Sequence, residues 1–276
     1  MAQQPEDEGY RPFMPIITLT TDCGAGSPYV AAMKGVIFSI NAAATIVDIS
    51  HTVPFRDIAC GAAVLKDATP WFPDDTIHVA IVDLGAGTPQ SILYARIGRQ
   101  QYLAPDNRLL GRLMAGTRPS MVVRLTEKEH WLAEFSHAYQ GRDIMAPVAV
   151  RLSLGLDPRR LGPVAGPVDQ PDSPLSPAVE AKIHGEVMSI DSFGNLITNI
   201  LYDHVTGKPN DTRACITCGI YETFGIYKGY GEWEPGTLVA LIGSSGRLEL
   251  ALVGENAAER MGVSIGTPVV VAWGKD

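Results

Sequence analysis

Positive charge is scarce in this sequence. Twenty-two Lys and Arg face 30 Asp and Glu among 276 residues, a net charge of −8 at pH 7 with a pI near 5.2. Such a chain offers no broad face to a phosphate backbone, so nucleic acid is not an expected partner. Long apolar runs are missing too. Residues 79–82 and 269–273 are among the longest, far short of the roughly 20 that cross a bilayer, and no membrane span is expected. Cysteine is limited to Cys23, Cys60, Cys215 and Cys218, too few for a disulfide framework and suited to a reducing compartment. Cys215 and Cys218 have C-x-x-C spacing, but no second such pair completes four ligands, and no metal is expected. Residues 1–11 are polar and acidic and lack the basic start and apolar stretch of a secretory signal. The expected location is cytoplasmic.

What is present is the composition of a folded chain, with 46% hydrophobic and 19% charged residues. Residues 16–20 form a short β-branched run that stops at Thr21-Asp22-Cys23-Gly24, and 29–40 then carry Val30, Met33, Val36, Ile37 and Ile40 at helical spacing. Residues 45–49 read as a strand, 57–68 as an Ala-rich helix and 77–82 as a buried strand ending at Asp83. This alternation predicts an α/β domain with a central, largely parallel sheet, whose ligand lies beyond the strand carboxyl ends. Asp22, His51 and Asp83 stand at three such ends, and one pocket is expected to gather them. Residues 92–96 with 101–104 predict a hairpin, and 147–154 a last helix.

From 158 to 177 the sequence holds six prolines with Gly162 and Gly166, a composition that extends a chain and suits a linker. Beyond it, 182–191, 195–200, 214–220, 237–242, 248–253 and 268–273 are short strand-like runs divided by turn residues, the spacing of a small β-barrel. The expected organisation is a flexible N-terminus (1–14), an N-terminal α/β domain (15–157), a Pro-rich linker (158–178) and a C-terminal β-barrel domain (179–276).

Several segments stand in a familiar order: Thr20-Thr21-Asp22-Cys23-Gly24, Met33-Lys34-Gly35, Asp48-Ile49-Ser50-His51, Val82-Asp83, Ala104-Pro105-Asp106-Asn107, Gly141-Arg142-Asp143-Ile144, Asp191-Ser192-Phe193-Gly194-Asn195 and Asn256-Ala257-Ala258. Together they resemble the S-adenosylmethionine (SAM) hydroxide adenosyltransferase family, relatives of the fluorinase and chlorinase. The resemblance implies a homotrimer that binds SAM between one subunit's first domain and its neighbour's second. It also implies attack on the ribose C5′ with methionine expelled. A sulfonium leaves readily, so the reaction depends on in-line placement of a desolvated nucleophile and needs no metal and no cofactor beyond SAM as substrate.

By the same resemblance Asp22 holds the ribose hydroxyls, Asp191 the methionine ammonium, Phe193 packs on the adenine and Asn195 meets its edge. Ala257, beside Asn256, reads adenine through main-chain groups, and Ser244 lies near the methionine carboxylate. Plainer roles stay open: Asp22 as a helix cap, Asp191 and Asn195 as turn residues, Ser244 as ordinary turn chemistry, Ala257 as a helix start. The family's hydroxide-transferring members use an Asp-Arg-His set at the water, which here reads Asp83, Gln90 and Gln140. Glutamines orient a water but neither take its proton nor supply charge. His137 is three residues from Gln140 and is a candidate imidazole only if its loop shifts. Other departures are Ser27 for an acid, Leu84 for a proline, Ser245 for an arginine and Arg108 for a glycine.

The expected function is cleavage of SAM at C5′ with water as default nucleophile, giving adenosine and methionine. The alternatives are SAM or adenosine binding without turnover, or the same displacement with another nucleophile. Halide is disfavoured because the Asp83 carboxylate would repel it. A dinucleotide reading of Gly85-Ala86-Gly87-Thr88-Pro89-Gln90 lacks the third glycine and sets Pro89 where amides are needed.

Overall fold

The computed structural model describes residues 15–85, 90–114, 117–136, 138–166, 168 and 182–273. The chain divides into two compact units, Met1–Pro171 and Asp172–Asp276. The first unit runs β1 (Ile17–Thr21), α1 (Pro28–Ile40), β2 (Ile46–Ser50), α2 (Ile58–Ala68), β3 (Ile77–Ile81), β4 (Ile92–Ile97), β5 (Gln100–Pro105), α3 (Leu109–Leu113), β6 (Met121–Arg124) and α4 (Ala146–Ser153). Its six-stranded sheet has the order β2-β1-β3-β5-β4-β6.

That sheet is mixed: three of its five pairings are parallel, and the hairpin expected over 92–96 and 101–104 is present as β4 and β5. β1 pairs in parallel with β2 and β3, and β3 with β5, but β4 runs antiparallel to both β5 and β6. The cause is local. Only Gly98 and Arg99 separate β4 from β5, Gly98 takes φ +58, and a two-residue connection can join only antiparallel strands.

β1 and β3 are buried at every position, as central strands covered on both faces must be. Alternation sorts β3 between two cores: Ile77, Val79 and Ile81 pack with Val30, Met33 and Ile37 of α1 and Val148 of α4, while Ala80 and Val82 pack with Leu65 of α2 and Leu109 of α3. Ser27 caps α1 by accepting the Tyr29 N–H at 3.3 Å, with Pro28 in its first turn, and Asp57 caps α2 through Cys60 N–H at 2.8 Å. Asp22 is therefore not the cap of α1; Ser27 holds that post. Pro158–Leu161 form a 3-10 turn, and Val164 bridges Val123 of β6.

His78 on β3 is fully buried, its Nδ1 2.8 Å from Thr18 Oγ1 and its ring between Phe72 and Tyr102. Burial pushes its pKa from 6.5 down to about 4. The unfolded chain thus takes up this proton first as pH falls, and stability drains between pH 6.5 and 4, by about 2 kcal/mol from pH 7 to 5. Urea titrations at pH 7 and 5 are expected to show this loss in the native chain and a smaller one in His78→Gln.

The second unit runs β7 (Lys182–Ile190), β8 (Leu196–Leu201), α5 (Tyr202–Val205), β9 (Ala214–Cys218), β10 (Tyr221–Phe224), β11 (Ile226–Tyr227), β12 (Leu238–Ile242), β13 (Arg247–Leu252), α6 (Ala257–Met261) and β14 (Pro268–Trp273). Its eight strands follow the order β10-β9-β14-β7-β8-β13-β12-β11, and β10 returns beside β12, so the sheet is nearly closed and barrel-like. Val187, Leu196, Ile216, Leu250, Val269 and Val271 fill its interior. Cys215 and Cys218 are free thiols three apart on β9, a spacing that turns them to opposite faces of the strand. Among the described residues no group of three His, Cys, Asp or Glu is placed to hold a metal, and no helix is long and apolar enough to cross a membrane.

Candidate active site

A cavity of about 480 Å³ opens in the first unit beyond the carboxyl ends of β1 and β3. Asp22 and Cys23 follow β1, Phe55 and Arg56 lie between β2 and α2, Asp83 and Leu84 follow β3, and Tyr29 and Met33 contribute from α1. Two of the three strand-end residues expected together, Asp22 and Asp83, therefore share one cavity. His51 does not line it. Its Nδ1 lies 3.1 Å from Thr21 Oγ1, its carbonyl accepts Gly24 N–H at 2.8 Å, and its Nε2 lies 3.1 Å from Asp48 Oδ1. Lys34 Nζ reaches Asp48 Oδ2 at 2.5 Å. Partial burial works against the charge on Asp48, yet Lys34 and His51 hold its carboxyl below the ordinary range. The Lys34, Asp48 and His51 motifs thus brace the loop that carries Asp22.

Asp22 ties three loops together. Its N–H donates to the Ile81 carbonyl at 3.1 Å, and its Oδ2 accepts the backbone N–H of Asp83 at 3.0 Å and of Arg56 at 3.1 Å. Its Oδ1 accepts no hydrogen bond among the described residues, which leaves one carboxylate oxygen for a ligand. Asp83 is partly buried, with Oδ1 accepting Arg56 Nε at 2.8 Å. Asn107 Nδ2 donates to the carbonyls of Val82 and Asp83, at 2.8 and 3.2 Å, and so fixes the Asp83 backbone from the end of β5. Arg108 takes φ +74, a conformation that favours glycine and that this chain fills with an arginine.

The third wall is the segment around Gly141. A π-turn at Gly141–Met145 runs directly into α4. A Cβ on Gly141 would lie 2.5 Å from Ile81 Cδ1, so glycine lets this turn meet the end of β3 without displacing that side chain. Asp143 is fully buried and grips Arg142 Nε and Nη2 at 2.5 and 3.0 Å and Ser136 N–H at 2.7 Å. The Gly141-Arg142-Asp143 motif is thereby a framework for the cavity wall. Tyr139, with Arg142 over its ring at 4.7 Å, meets Tyr29 edge-on at 5.1 Å between centroids.

Of the two glutamines, Gln140 is buried with its Oε1 lacking a hydrogen-bond partner, and Gln90 is half-buried ahead of β4. Neither lines the cavity, although Gly141 beside Gln140 does. His137 and residues 86–89, on which the substitute imidazole and the dinucleotide reading rested, lie outside the described residues. Arg56 is the residue that sequence reading missed. Its only signal is position: five residues past His51, it lies in the loop after a parallel strand.

The remaining predicted residues belong to the second unit. Asp191 Oδ1 accepts the N–H groups of Phe193 and Asn195 at 2.9 and 2.8 Å, and Oδ2 accepts Asn195 Nδ2 at 2.8 Å, closing the turn between β7 and β8. The turn role is thus real, and Phe193 stands 77% exposed upon it. Asn256 caps α6 through Glu259 N–H at 3.0 Å, and Ala257, buried, opens the helix. These two segments touch: Ala258 N–H donates to the Gly194 carbonyl at 3.0 Å, and Gly194, at φ +86, leaves a Cβ no room beside the Asn256 amide. Ser244 is exposed in the turn joining β12 to β13. Glu249 packs against Gly243 in that turn. Burial, with the charges of Glu249 and Asp191, pushes the Tyr230 phenol upward, so Tyr230 stands near both carboxylates.

The N-terminal domain of the SAM hydroxide adenosyltransferase family matches residues 17–162, and its C-terminal domain matches 185–270. An (R)-S-adenosyl-L-methionine hydrolase of Salinispora tropica is 33% identical over 267 residues, 94% of this chain and 98% of the relative. A fluorinase of Actinopolyspora mzabensis is 24% identical over 69% of this chain and 73% of its own. The crystal structure of an uncharacterized conserved protein from Thermotoga maritima superposes with a TM-score of 0.86 at 30% identity, covering 93% of this chain and all of the other. With both family domains matched in order across most of its length, the chain belongs to the SAM hydroxide adenosyltransferase family.

Proposed function

We propose that this chain is an enzyme that hydrolyses SAM to adenosine and methionine. The observation that carries the reading is the pairing of two carboxylates, Asp22 and Asp83, in one cavity at the strand ends, the first with an open oxygen and the second beside a guanidinium. Asp22 Oδ1 accepts from the vicinal ribose hydroxyls. Water attacks C5′ in line with the sulfonium. The new C–O bond forms as the C5′–S bond breaks, its electron pair passing to sulfur as methionine leaves, and the water proton goes to Asp83 and then to solvent. The positive sulfur makes the leaving group good, so positioning supplies most of the rate. Gln90 and Gln140 serve as hydrogen-bonding groups around this water, with no part in moving its proton.

Asp191 faces the methionine ammonium, Ser244 the carboxylate, and Phe193, Asn195 and the main chain at Ala257 the adenine. In this reading the second-unit residues of one subunit complete the Asp22 cavity of its neighbour in a homotrimer. Free thiols at all four cysteines support a cytoplasmic setting.

The test is incubation of purified protein with SAM in ¹⁸O-enriched water. Adenosine carrying the label at O5′, with one methionine for each adenosine, is expected. Intact SAM after many hours overturns the reading. Retained binding by calorimetry would then mark a protein that holds the ligand without turning it over, the alternative that Gln90 and Gln140 favour.

A further inference from the structure

We propose that Arg56 is a positioning residue for the displacement, the charge partner that orients Asp83 toward the attacking water; this rests on the hydrolytic reading above. The sequence leaves the water site without a cation, since Gln90 and Gln140 are neutral. The fold returns one from another direction. Arg56 lines the same cavity as Asp83, and its Nε donates to Asp83 Oδ1 at 2.8 Å. Nothing acidic competes for it: among the described residues the Arg56 side chain makes no other ion pair, and its guanidinium lies over the face of Phe55, 5.5 Å away.

The backbone holds the two residues side by side. Arg56 has φ +63 and Asp83 φ +48, two of only four non-glycine residues with positive φ among those described. Left-handed backbone disfavours residues with a Cβ, and neither loop replaces them by glycine. Such strain persists where surrounding structure holds it, and it concentrates at functional sites. Here the holding group is Asp22, whose Oδ2 accepts the backbone N–H of both strained residues. One carboxylate thus sets Arg56 and Asp83 face to face.

The consequence for the reaction is directional. With Oδ1 engaged by Arg56, Asp83 keeps Oδ2 to take the water proton. Paired through Nε, the guanidinium also biases the carboxylate against turning away as the sulfonium charge disappears from the site. Arg56 acts through Asp83, so its loss should slow chemistry and leave substrate affinity largely alone.

The substitutions can be chosen so that the Asp22 hydrogen bond survives, because it uses the Arg56 backbone. In Arg56→Ala, kcat for SAM hydrolysis is expected to fall about tenfold to a hundredfold, with KM changed less than about threefold. Arg56→Lys should recover part of the rate. Guanidinium ion added at millimolar concentrations should raise the rate of Arg56→Ala and leave Asp83→Asn unaffected. Arg56→Gly provides the folding control: glycine relieves the φ +63 conformation, so its Tm should be no lower than native while kcat falls as in the alanine variant. A purely structural arginine would lower Tm and kcat together. Unchanged kcat in Arg56→Ala and Arg56→Gly, with the native enzyme active, overturns the inference and spares the hydrolytic reading. A native enzyme that forms no adenosine overturns both.

Discussion

Adenosine binding measured by calorimetry is expected to weaken about a hundredfold or more in Asp22→Ala. Two hydrogen bonds from ribose hydroxyls to an ionised carboxylate contribute at least about 3 kcal/mol, and each 1.4 kcal/mol is a tenfold change. Alanine also strands the N–H groups of Arg56 and Asp83, both of which donate to Asp22 Oδ2. The loops would loosen as the ligand contact disappears. Asp22→Asn separates these effects. Its amide oxygen can keep both backbone bonds, while its NH₂ presents donors where the ribose needs acceptors. If Asn binds adenosine as tightly as Asp, the ribose assignment is wrong, whatever Ala does.

Turnover is the property expected to collapse in Asp83→Asn, by about two to four powers of ten, with SAM affinity within a few fold of native. Asparagine matches aspartate in size, and the two anchors of this residue survive. Its N–H still donates to Asp22, and its carbonyl still accepts from Asn107. What is lost is the capacity to accept a proton and the ion pair with Arg56. A fall in KM-independent rate of this size, by single-turnover product formation, supports Asp83 as the base. Native-like turnover would move the proton elsewhere and leave Asp83 as a partner for Arg56 alone.

Asp22 and Asp83 are legible in the sequence because a rule of topology places them: residues just after central strands of an α/β sheet crowd one rim. The strands themselves are legible from unbroken apolar runs. So is the β4–β5 hairpin, from two apolar runs set close on either side of Gly98. β6 is not: it is four residues, Met121 to Arg124, with no alternating pattern to announce it. β10 and β11 escape for the same reason, being four and two residues long and set off by Gly219 and Gly225. Arg56 is hidden for a different reason. It meets Asp83 across 27 positions by the reach of a long side chain, and no local spacing encodes such a contact. The Asp191 turn is the opposite case, since a carboxylate two and four residues ahead of the amides it accepts is a purely local device.

The clasp between the Asp191 turn and the Asn256 cap has a thermodynamic side. Gly194 seats closely against the Asn256 amide, and the Ala258 N–H donates to the Gly194 carbonyl. Phe193 rides on this clasp with its ring already turned out to solvent. In the proposed site, a planar base arriving at Phe193 meets a turn whose backbone is already hydrogen-bonded in place, so ordering that turn subtracts little from the stacking energy.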